Sequence, residues 1–221
     1  MYNIDVVSVK KDICTVGKLL YDRGYVISND GNISVRISEN EIIITPSGVG
    51  KGRMTPDMMV HVNLDGEILH GDRYPSSEVK MHLAVYKNRP DIGAVVHAHP
   101  PLATSFAICR KPLDKKYSPE IVLGIGDVPV ADFALPSTEA VPESVVPFVK
   151  DHKALLLANH GALSFASELW QAFDIMEGIE NAAKITLTVE KIGGAVEISK
   201  DEIDTLFSFA ENYKKLSQKR D

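Results

Sequence analysis

The pattern of hydrophobic and polar residues predicts helices and strands along the whole chain. Apolar residues at helical spacing predict a first helix over residues 5–23 and a long helix over 167–191. Further helices are predicted over 75–86, 102–109 and 138–151, and a last helix begins near residue 201. Apolar runs and alternating segments predict strands over 33–37, 41–45, 59–64, 67–69, 94–98, 128–133 and 153–159. No repeat or linker divides the pattern, so we expect one domain over residues 1–221.

Two histidines, His97 and His99, end the apolar strand Ala94-Val-Val-His-Ala-His-Pro100. Residues i and i+2 of a strand point to the same face, so the imidazoles are expected side by side, about 7 Å apart at the backbone. Adjacent imidazoles repel when both are protonated and gain most when a divalent metal takes both lone pairs. A simpler interpretation is that one histidine packs in a core and the other caps a turn. This pair alone leaves the choice open.

A third histidine strengthens the metal interpretation. His160-Gly161 follows the apolar strand Lys153–Asn159, so a histidine is placed beside a buried strand for a second time. Three imidazoles with one open or carboxylate position are typical of a catalytic zinc site, whereas a closed structural site favours cysteines.

Three polar segments could bind an anion. Residues Ser28–Ser34 are rich in Gly and Asn, and Pro46–Gly52 is rich in Gly but lacks the spacing of a Walker loop. Ser76 and Ser77 open a predicted helix, with Glu78 in its first turn. Hydroxyls and free N–H groups at a helix N-terminus can bind phosphate, but ordinary helix capping explains the same residues.

Composition limits the classes of partner. The net charge of the 221-residue chain is −6 at pH 7, which argues against nucleic acid or an anionic membrane as the main partner. Cys14 and Cys109 stand in predicted helices and form no pair motif, so no disulfide framework is expected. The sequence has neither a signal peptide nor an apolar run of about 20 residues, so we expect a cytoplasmic protein with no membrane partner.

Five short motifs occur in a familiar order. They are Gly31-Asn32-Ile33-Ser34, Thr45-Pro46-Ser47-Gly48, Pro75-Ser76-Ser77-Glu78, His97-Ala98-His99 and Asn159-His160-Gly161. In these motifs the chain resembles the class II aldolase/adducin head family over nearly its whole length, and is closest to the members that cleave L-fuculose 1-phosphate. The resemblance implies a three-layer α/β/α domain with a central, mostly antiparallel mixed sheet. It also implies a C4 homotetramer with sites between subunits.

The resemblance implies a role for each matching residue. His97, His99 and His160 would bind one Zn²⁺ per subunit, although Mn²⁺ or Co²⁺ also suits imidazole ligands. Glu78 would be the acid/base carboxylate, and a metal ligand when substrate is absent. Tyr213 matches a catalytic tyrosine near the C-terminus. The groups that would hold the substrate phosphate belong to Gly31, Asn32, Ser47, Gly48, Ser76 and Ser77.

Two positions depart from the pattern of the aldolases. A second catalytic tyrosine, supplied by a neighbouring subunit, is replaced by Ser118, with Tyr117 one residue away. An aromatic residue that shapes the aldehyde pocket is replaced near Pro136. Both departures concern the aldehyde end of the substrate, and the phosphate end matches.

The activity implied is reversible cleavage of a phosphorylated ketose, such as L-fuculose 1-phosphate, into dihydroxyacetone phosphate and a small aldehyde. Enzymes with the same scaffold remain alternatives: a sugar-phosphate dehydratase, a decarboxylase of phosphorylated 3-oxo acids, and a ribulose-phosphate 4-epimerase, whose extra aspartate and tyrosine segment has no good match. A non-catalytic, adducin-like interaction domain is disfavoured because all three histidines and Glu78 are present.

Overall fold

The computed structural model describes residues 4–217 and contains six α-helices and eight strands in that range. The helices are α1 (Val6–Asp22), α2 (Val79–Asn88), α3 (Pro101–Ile108), α4 (Ala140–Val149), α5 (Leu169–Ile192) and α6 (Lys200–Ser217). The strands are β1 (Asn32–Arg36), β2 (Glu41–Ile44), β3 (Val60–Asn63), β4 (Ile68–His70), β5 (Ala94–Ala98), β6 (Val130–Ala131), β7 (Ala154–Leu157) and β8 (Gly161–Ala166).

All eight strands form one sheet in the order β4-β3-β2-β1-β5-β8-β7-β6. Every neighbouring pair is antiparallel except β6 and β7, which are parallel. Helices α1, α3 and α5 cover one face through a core that includes Ile33 and Val96. Helices α2 and α4 cover the other face through a core that includes Val95 and Leu163. The expected three-layer α/β/α fold with a mostly antiparallel sheet is confirmed.

The predicted helices and most of the strands are present, with ends shifted by a few residues. Strand β6 is reduced to two residues of the predicted 128–133. Strand β8 was not predicted, although it pairs with both β5 and β7 in the middle of the sheet. Its sequence, Gly-Ala-Leu-Ser-Phe-Ala, shows no clear alternation of apolar and polar residues. Its one polar residue, Ser164, is itself buried and donates a hydrogen bond to the Ala172 carbonyl at 2.7 Å.

Strand register brings the polar motifs to one end of the sheet. His97 lies opposite Asn32 of β1 on one side and opposite Leu163 of β8 on the other. Because β5 lies between these two strands, its C-terminal end is held on both sides. The site described below is built around that end.

Helices α1 to α5 each bury apolar residues in one of the two cores. In the described range, no helix is both long and apolar enough to cross a lipid bilayer. The longest, α5, spans 24 residues and buries Phe173, Met176 and Ile179 against the sheet. The length of α5 therefore serves packing on the sheet.

Candidate active site

Three imidazoles meet at the C-terminal end of β5. His97 is the fourth residue of this strand, His99 follows it, and His160 lies in the turn between β7 and β8. Their ring centroids are 4.9 Å apart for His97 and His99, 4.7 Å for His97 and His160, and 5.1 Å for His99 and His160. One nitrogen from each ring lies within 4.8 Å of the others, which is close enough for a single metal ion. The predicted histidine cluster is thus brought together.

A backbone carbonyl fixes the orientation of His97. Its Nδ1 donates a hydrogen bond to the Ala162 carbonyl of β8 at 2.9 Å. Its Nε2 is therefore directed toward His99, whose Nε2 lies 3.1 Å away. A hydrogen bond from the second ring nitrogen to a carbonyl is the usual support of a metal-binding histidine, because it fixes both tautomer and ring orientation.

Burial keeps two of the three imidazoles neutral. It lowers the pKa of His99 to about 3 and that of His160 to about 4, with the charge of His97 adding to the effect. Both rings consequently offer a lone pair at neutral pH. Burial also disfavours a charge on His97, but the adjacent Glu78 carboxylate outweighs it and raises the pKa of His97.

Glu78 contacts two of the histidines. Its Oε2 lies 3.2 Å from His97 Nε2 and its Oε1 lies 3.4 Å from His160 Nε2. Burial raises the pKa of the Glu78 carboxyl, but the charge and hydrogen bond of His97 outweigh burial and lower that pKa below its ordinary value. The carboxylate is therefore ionised at neutral pH.

Helix α2 begins later than the sequence suggested. Glu78 occupies its N-cap position, not its first turn, and makes no side-chain capping bond. Capping is instead provided in part by Ser76, whose hydroxyl accepts a hydrogen bond from the Glu78 backbone N–H at 3.3 Å. The carboxylate of Glu78 is thereby left to face the histidines.

These side chains fit a divalent metal. The donor set is three imidazoles and one carboxylate, which suits zinc, manganese or cobalt. Glu78 Oε1 is enclosed and has no hydrogen-bond partner among residues 4–217. An unpartnered buried carboxylate oxygen is costly unless a cation or a proton satisfies it.

The turn that carries His160 requires a small residue next to it. A Cβ atom at Gly161 would lie 2.6 Å from both the Ala98 carbonyl oxygen and the His99 ring carbon Cδ2. Asn159, immediately before His160, has a left-handed backbone with φ of 57°. Together, the missing side chain of Gly161 and the left-handed backbone of Asn159 allow the β7–β8 turn to lie directly against the end of β5.

We expect Gly161→Ala to weaken zinc binding by about 10–100-fold, the range seen when groups that support metal ligands are disturbed. The added methyl group would displace the His99 ring without removing any ligand. Competition with a chromogenic chelator measures the affinity. Gly124→Ala is the matched control, because a Cβ atom added there would meet nothing within 4 Å. Equal zinc affinities for the two variants would contradict this account of the turn.

A buried chain of hydrogen bonds leads away from Glu78. Asn32 Nδ2 donates to Glu78 Oε2 at 2.9 Å, and Asn32 Oδ1 lies 2.5 Å from His82 Nε2. His82 Nδ1 lies 2.7 Å from the Ser34 hydroxyl, which lies 2.8 Å from the Tyr86 hydroxyl. Burial lowers the pKa of His82 to about 3, so its ring is neutral and donates from Nε2 to Asn32. The chain fixes which end of the Asn32 amide faces Glu78.

We expect Ser34→Ala to lower the free energy of unfolding by about 1–3 kcal/mol for each polar group that it leaves unpartnered. The groups affected are His82 Nδ1, which loses its partner, and the Tyr86 hydroxyl, which keeps a hydrogen bond with the Val95 backbone; both side chains are fully enclosed. Urea unfolding followed by circular dichroism measures the loss. Ser8→Ala, at an exposed position of α1, should leave stability nearly unchanged. A Ser34→Ala protein as stable as its parent would show that these bonds contribute little.

A cavity of about 210 Å³ adjoins the histidines. All six residues predicted to hold phosphate line it: Gly31, Asn32, Ser47, Gly48, Ser76 and Ser77. Glu78, His99 and His160 line the same cavity. Gly31 and Gly48 have φ angles of 71° and 72°, which other residues rarely adopt. The structure also places Asp30, Lys51, Pro136 and Ser137 on the cavity wall. Asp30 and Lys51 belong to the two polar loops that the sequence suggested for anion binding, although neither residue was singled out, and the region of Pro136 was also predicted.

The predicted tyrosines lie away from this cavity within one chain. Tyr213 is on α6, 66% exposed, and its ring stacks on Phe209 with centroids 6.5 Å apart. Tyr117 is half-buried and packs against the core that includes Ile33 and Val96. Neither lines the cavity. Their catalytic roles stay predictions about an assembled protein.

The sequence matches a known family over most of its length. The family model of the class II aldolase and adducin N-terminal domain matches residues 11–187. This range includes the three histidines of the cluster, the cavity loops and Glu78. The resemblance seen in the five motifs is therefore confirmed.

Individual relatives include more than one activity. A 5-deoxy-D-ribulose 1-phosphate aldolase of Bacillus thuringiensis is 34% identical over 205 residues, which are 92% of this chain and 96% of that protein. A 3-oxo-tetronate 4-phosphate decarboxylase of Haemophilus influenzae is 33% identical over 186 residues, 82% of this chain and 88% of the relative. The structure of an L-fuculose 1-phosphate aldolase is 34% identical, with a TM-score of 0.85, and covers 94% of this chain and 96% of its own.

Proposed function

The chain belongs to the class II aldolase and adducin N-terminal domain family, and on this basis we propose that it is a zinc-dependent aldolase. The proposed reaction is reversible cleavage of a sugar 1-phosphate, L-fuculose 1-phosphate or a close analogue, into dihydroxyacetone phosphate and an aldehyde. One observation carries the proposal: the histidine cluster, Glu78 and the cavity lined by hydroxyls and glycines are contiguous. A phosphorylated ketose needs a metal site next to an anion site, and the lining of this cavity combines the two.

His97, His99 and His160 would hold one zinc ion per chain, and manganese or cobalt would fit the same imidazoles. When bound, the metal supplies Lewis-acid stabilisation of the negative charge that develops on the ketose oxygens as the bond between C3 and C4 breaks. The histidines would hold the positive charge of the metal at the end of β5, next to the cavity.

Glu78 would carry the proton at C3. In the cleavage direction Glu78 first takes a proton from solvent, because its carboxylate is ionised at rest. The C3–C4 bond then breaks, its electron pair moves toward the carbonyl, and C3 takes this proton from Glu78. In synthesis the Glu78 carboxylate removes that proton. The hydroxyl on C4 must lose its proton as the aldehyde forms, and we assign this proton transfer to Tyr213, with Tyr117 as the alternative.

The phosphate would be held at the other end of the cavity. Ser76 and Ser77 offer hydroxyls just before the N-terminus of α2, an end of a helix that favours anions. Asn32, Ser47 and the Gly48 backbone would complete the anion site from the neighbouring loops. Glu78 lies between this anion site and the histidines, which suits transfer of a proton to C3.

We further propose that the active form is a cytoplasmic homotetramer with sites between subunits. Tyr213, Phe207 and Phe209 are exposed along α6, outside the cavity of their own chain. Exposed aromatic residues on one helix are typical of a protein interface. A neighbouring subunit that buries this helix would bring Tyr213 toward another cavity.

A second candidate is decarboxylation of a phosphorylated 3-oxo acid. It is supported by the decarboxylase of Haemophilus influenzae, which is 33% identical over 186 residues. Pro136 also lines the cavity where the aldolases have an aromatic residue. Loss of CO₂ leaves the same kind of negative charge beside a carbonyl, so the metal and phosphate groups would serve both reactions.

The test is product analysis with the zinc-loaded protein. Incubation with L-fuculose 1-phosphate should release dihydroxyacetone phosphate, followed as NADH loss in a coupled assay, with loss of signal on chelation and recovery with zinc. A parallel incubation with 3-oxo-tetronate 4-phosphate should release no CO₂. The opposite result would overturn the aldolase proposal in favour of decarboxylation. If neither product forms, dehydration, epimerisation and a non-catalytic role remain as the alternatives.

A further inference from the structure

One lysine is buried in the loop after β2. Lys51 is only 2% exposed, and it lies in the Gly-rich segment 46–52 that the sequence suggests for anion binding. Its Nζ donates hydrogen bonds to the Asn29 carbonyl at 3.0 Å and to the Val49 carbonyl at 2.8 Å. Both carbonyls belong to loops that border the cavity next to the histidines. Lysine is rarely buried to this extent without a charged partner.

The charge of Lys51 has no close counter-ion. Within residues 4–217 no carboxylate oxygen lies within 4.0 Å of its Nζ, and the two carbonyls offer only dipoles. An ammonium group has three donor hydrogens, so two carbonyl bonds leave one donor free. Because Lys51 lines the cavity, an anion in the cavity could pair with that charge. A buried charge that stays unpaired is costly, and an anionic ligand would remove that cost.

We propose that Lys51 is a binding residue for the dianionic group of the substrate, and that it makes the cavity selective for a dianion over a neutral group. The other groups around the cavity that could hold phosphate are hydroxyls, an amide and backbone N–H groups, which carry no net charge. Lys51 would supply the charge neutralisation that they lack. The inference rests on the proposed function for its substrate class, but anion binding itself can be measured without turnover.

A pH dependence follows from burial of the lysine. Burial lowers the pKa of Lys51 to about 8, against the smaller opposing effects of Asp30 and Glu78. A bound dianion favours the charged form and raises this pKa, so anion affinity should be full below pH 8 and should fall as the pH rises above it.

Other titratable groups face Lys51 and need control. The cavity side carries Asp30, Glu78, His99 and His160. The stem of Lys51 faces α1, where Cys14, Lys18 and Asp22 line a neighbouring groove. Arginine at position 51 keeps its charge over the whole range, so it separates titration of Lys51 from titration of these neighbours.

The experiment measures sulfate binding to the zinc-loaded protein by isothermal titration calorimetry. Sulfate stays a dianion throughout the range, whereas phosphate changes charge near pH 6–7. From pH 7 to pH 9.5 the affinity of the parent protein should fall by about tenfold or more, because its lysine loses charge. Lys51→Arg should change by less than about twofold, and Lys51→Met should bind at least about tenfold more weakly at pH 7. Lys18→Met, at an exposed position of α1, is the matched control and should behave as the parent.

Several results would overturn the proposal. Sulfate affinity that is equal in Lys51→Met and the parent would reduce Lys51 to a support for the two carbonyls. An equal fall with pH in the parent and in Lys51→Arg would assign the titration to another group, and decides the matter even if Lys51→Met does not fold. The proposal would also be refuted if the protein binds no sulfate. The same holds if sulfate binding requires zinc and is unchanged by every substitution at position 51. A protein that binds sulfate as expected but fails the cleavage assay would refute only the proposed function.

Discussion

Replacement of Glu78 by glutamine should lower the rate of sugar-phosphate cleavage by about 10²–10⁴-fold, the usual contribution of a general acid or base. The amide has nearly the same shape, and it can still accept a hydrogen bond from Asn32. It cannot take up or deliver a proton at C3. Loss of activity with little change in structure would therefore report the proton-transfer role that we assign to Glu78.

The measurement combines the coupled cleavage assay with zinc analysis of the same sample. Zinc should remain near one per chain, because the three imidazoles are untouched. Glu190→Gln, at an exposed position of α5, is the matched control and should keep the parent rate. A Glu78→Gln protein that holds zinc and turns over at the parent rate would remove Glu78 from the mechanism.

Replacement of His160 by glutamine is expected to abolish cleavage through loss of the metal. His160 supplies one of only three imidazoles in the cluster. Removing a direct ligand should weaken zinc binding by more than about 100-fold, the upper end of the effect of removing a supporting group. Zinc content after dialysis measures the loss, and added zinc should restore chelator-treated parent protein but not the variant at the same concentration.

His70→Gln is the matched control for this variant. His70 is an exposed residue of β4, outside the cluster, so its replacement should leave zinc content and activity unchanged. A parent protein that binds no divalent ion would contradict the metal assignment itself. In that case the cluster would be a set of packed histidines, and the adducin-like interaction domain would become the better interpretation.

Local rules explain why part of the site could be predicted. His97 and His99 point the same way because they are two residues apart along one strand, which the sequence shows directly. His160 follows an apolar segment, and the order of the motifs added Glu78 and the cavity residues. These features depend on short stretches of chain and on their resemblance to a family.

Other features depend on contacts between distant segments. Asn32 reaches His82 across 50 residues, and this contact exists only because β1 pairs with β5 while α2 packs over both. Burial of Lys51 likewise follows from the way its loop packs against α1. A histidine inside a helix and a lysine inside a Gly-rich loop carry no local sign of either arrangement.

The two ends of the cavity differ in what supports them. His97 lies in the middle of the sheet, between β1 and β8, whereas Pro136 and Ser137 come from the loop that joins β6 to α4. Substitutions in that loop would leave strand pairing and the histidines undisturbed. On the proposed function, this division would confine evolutionary change to one end of the cavity: the histidines are fixed by the sheet, while the residues that accept the aldehyde could be altered one at a time. Laboratory evolution toward new carbon–carbon bonds would begin with a library at residues 135–138.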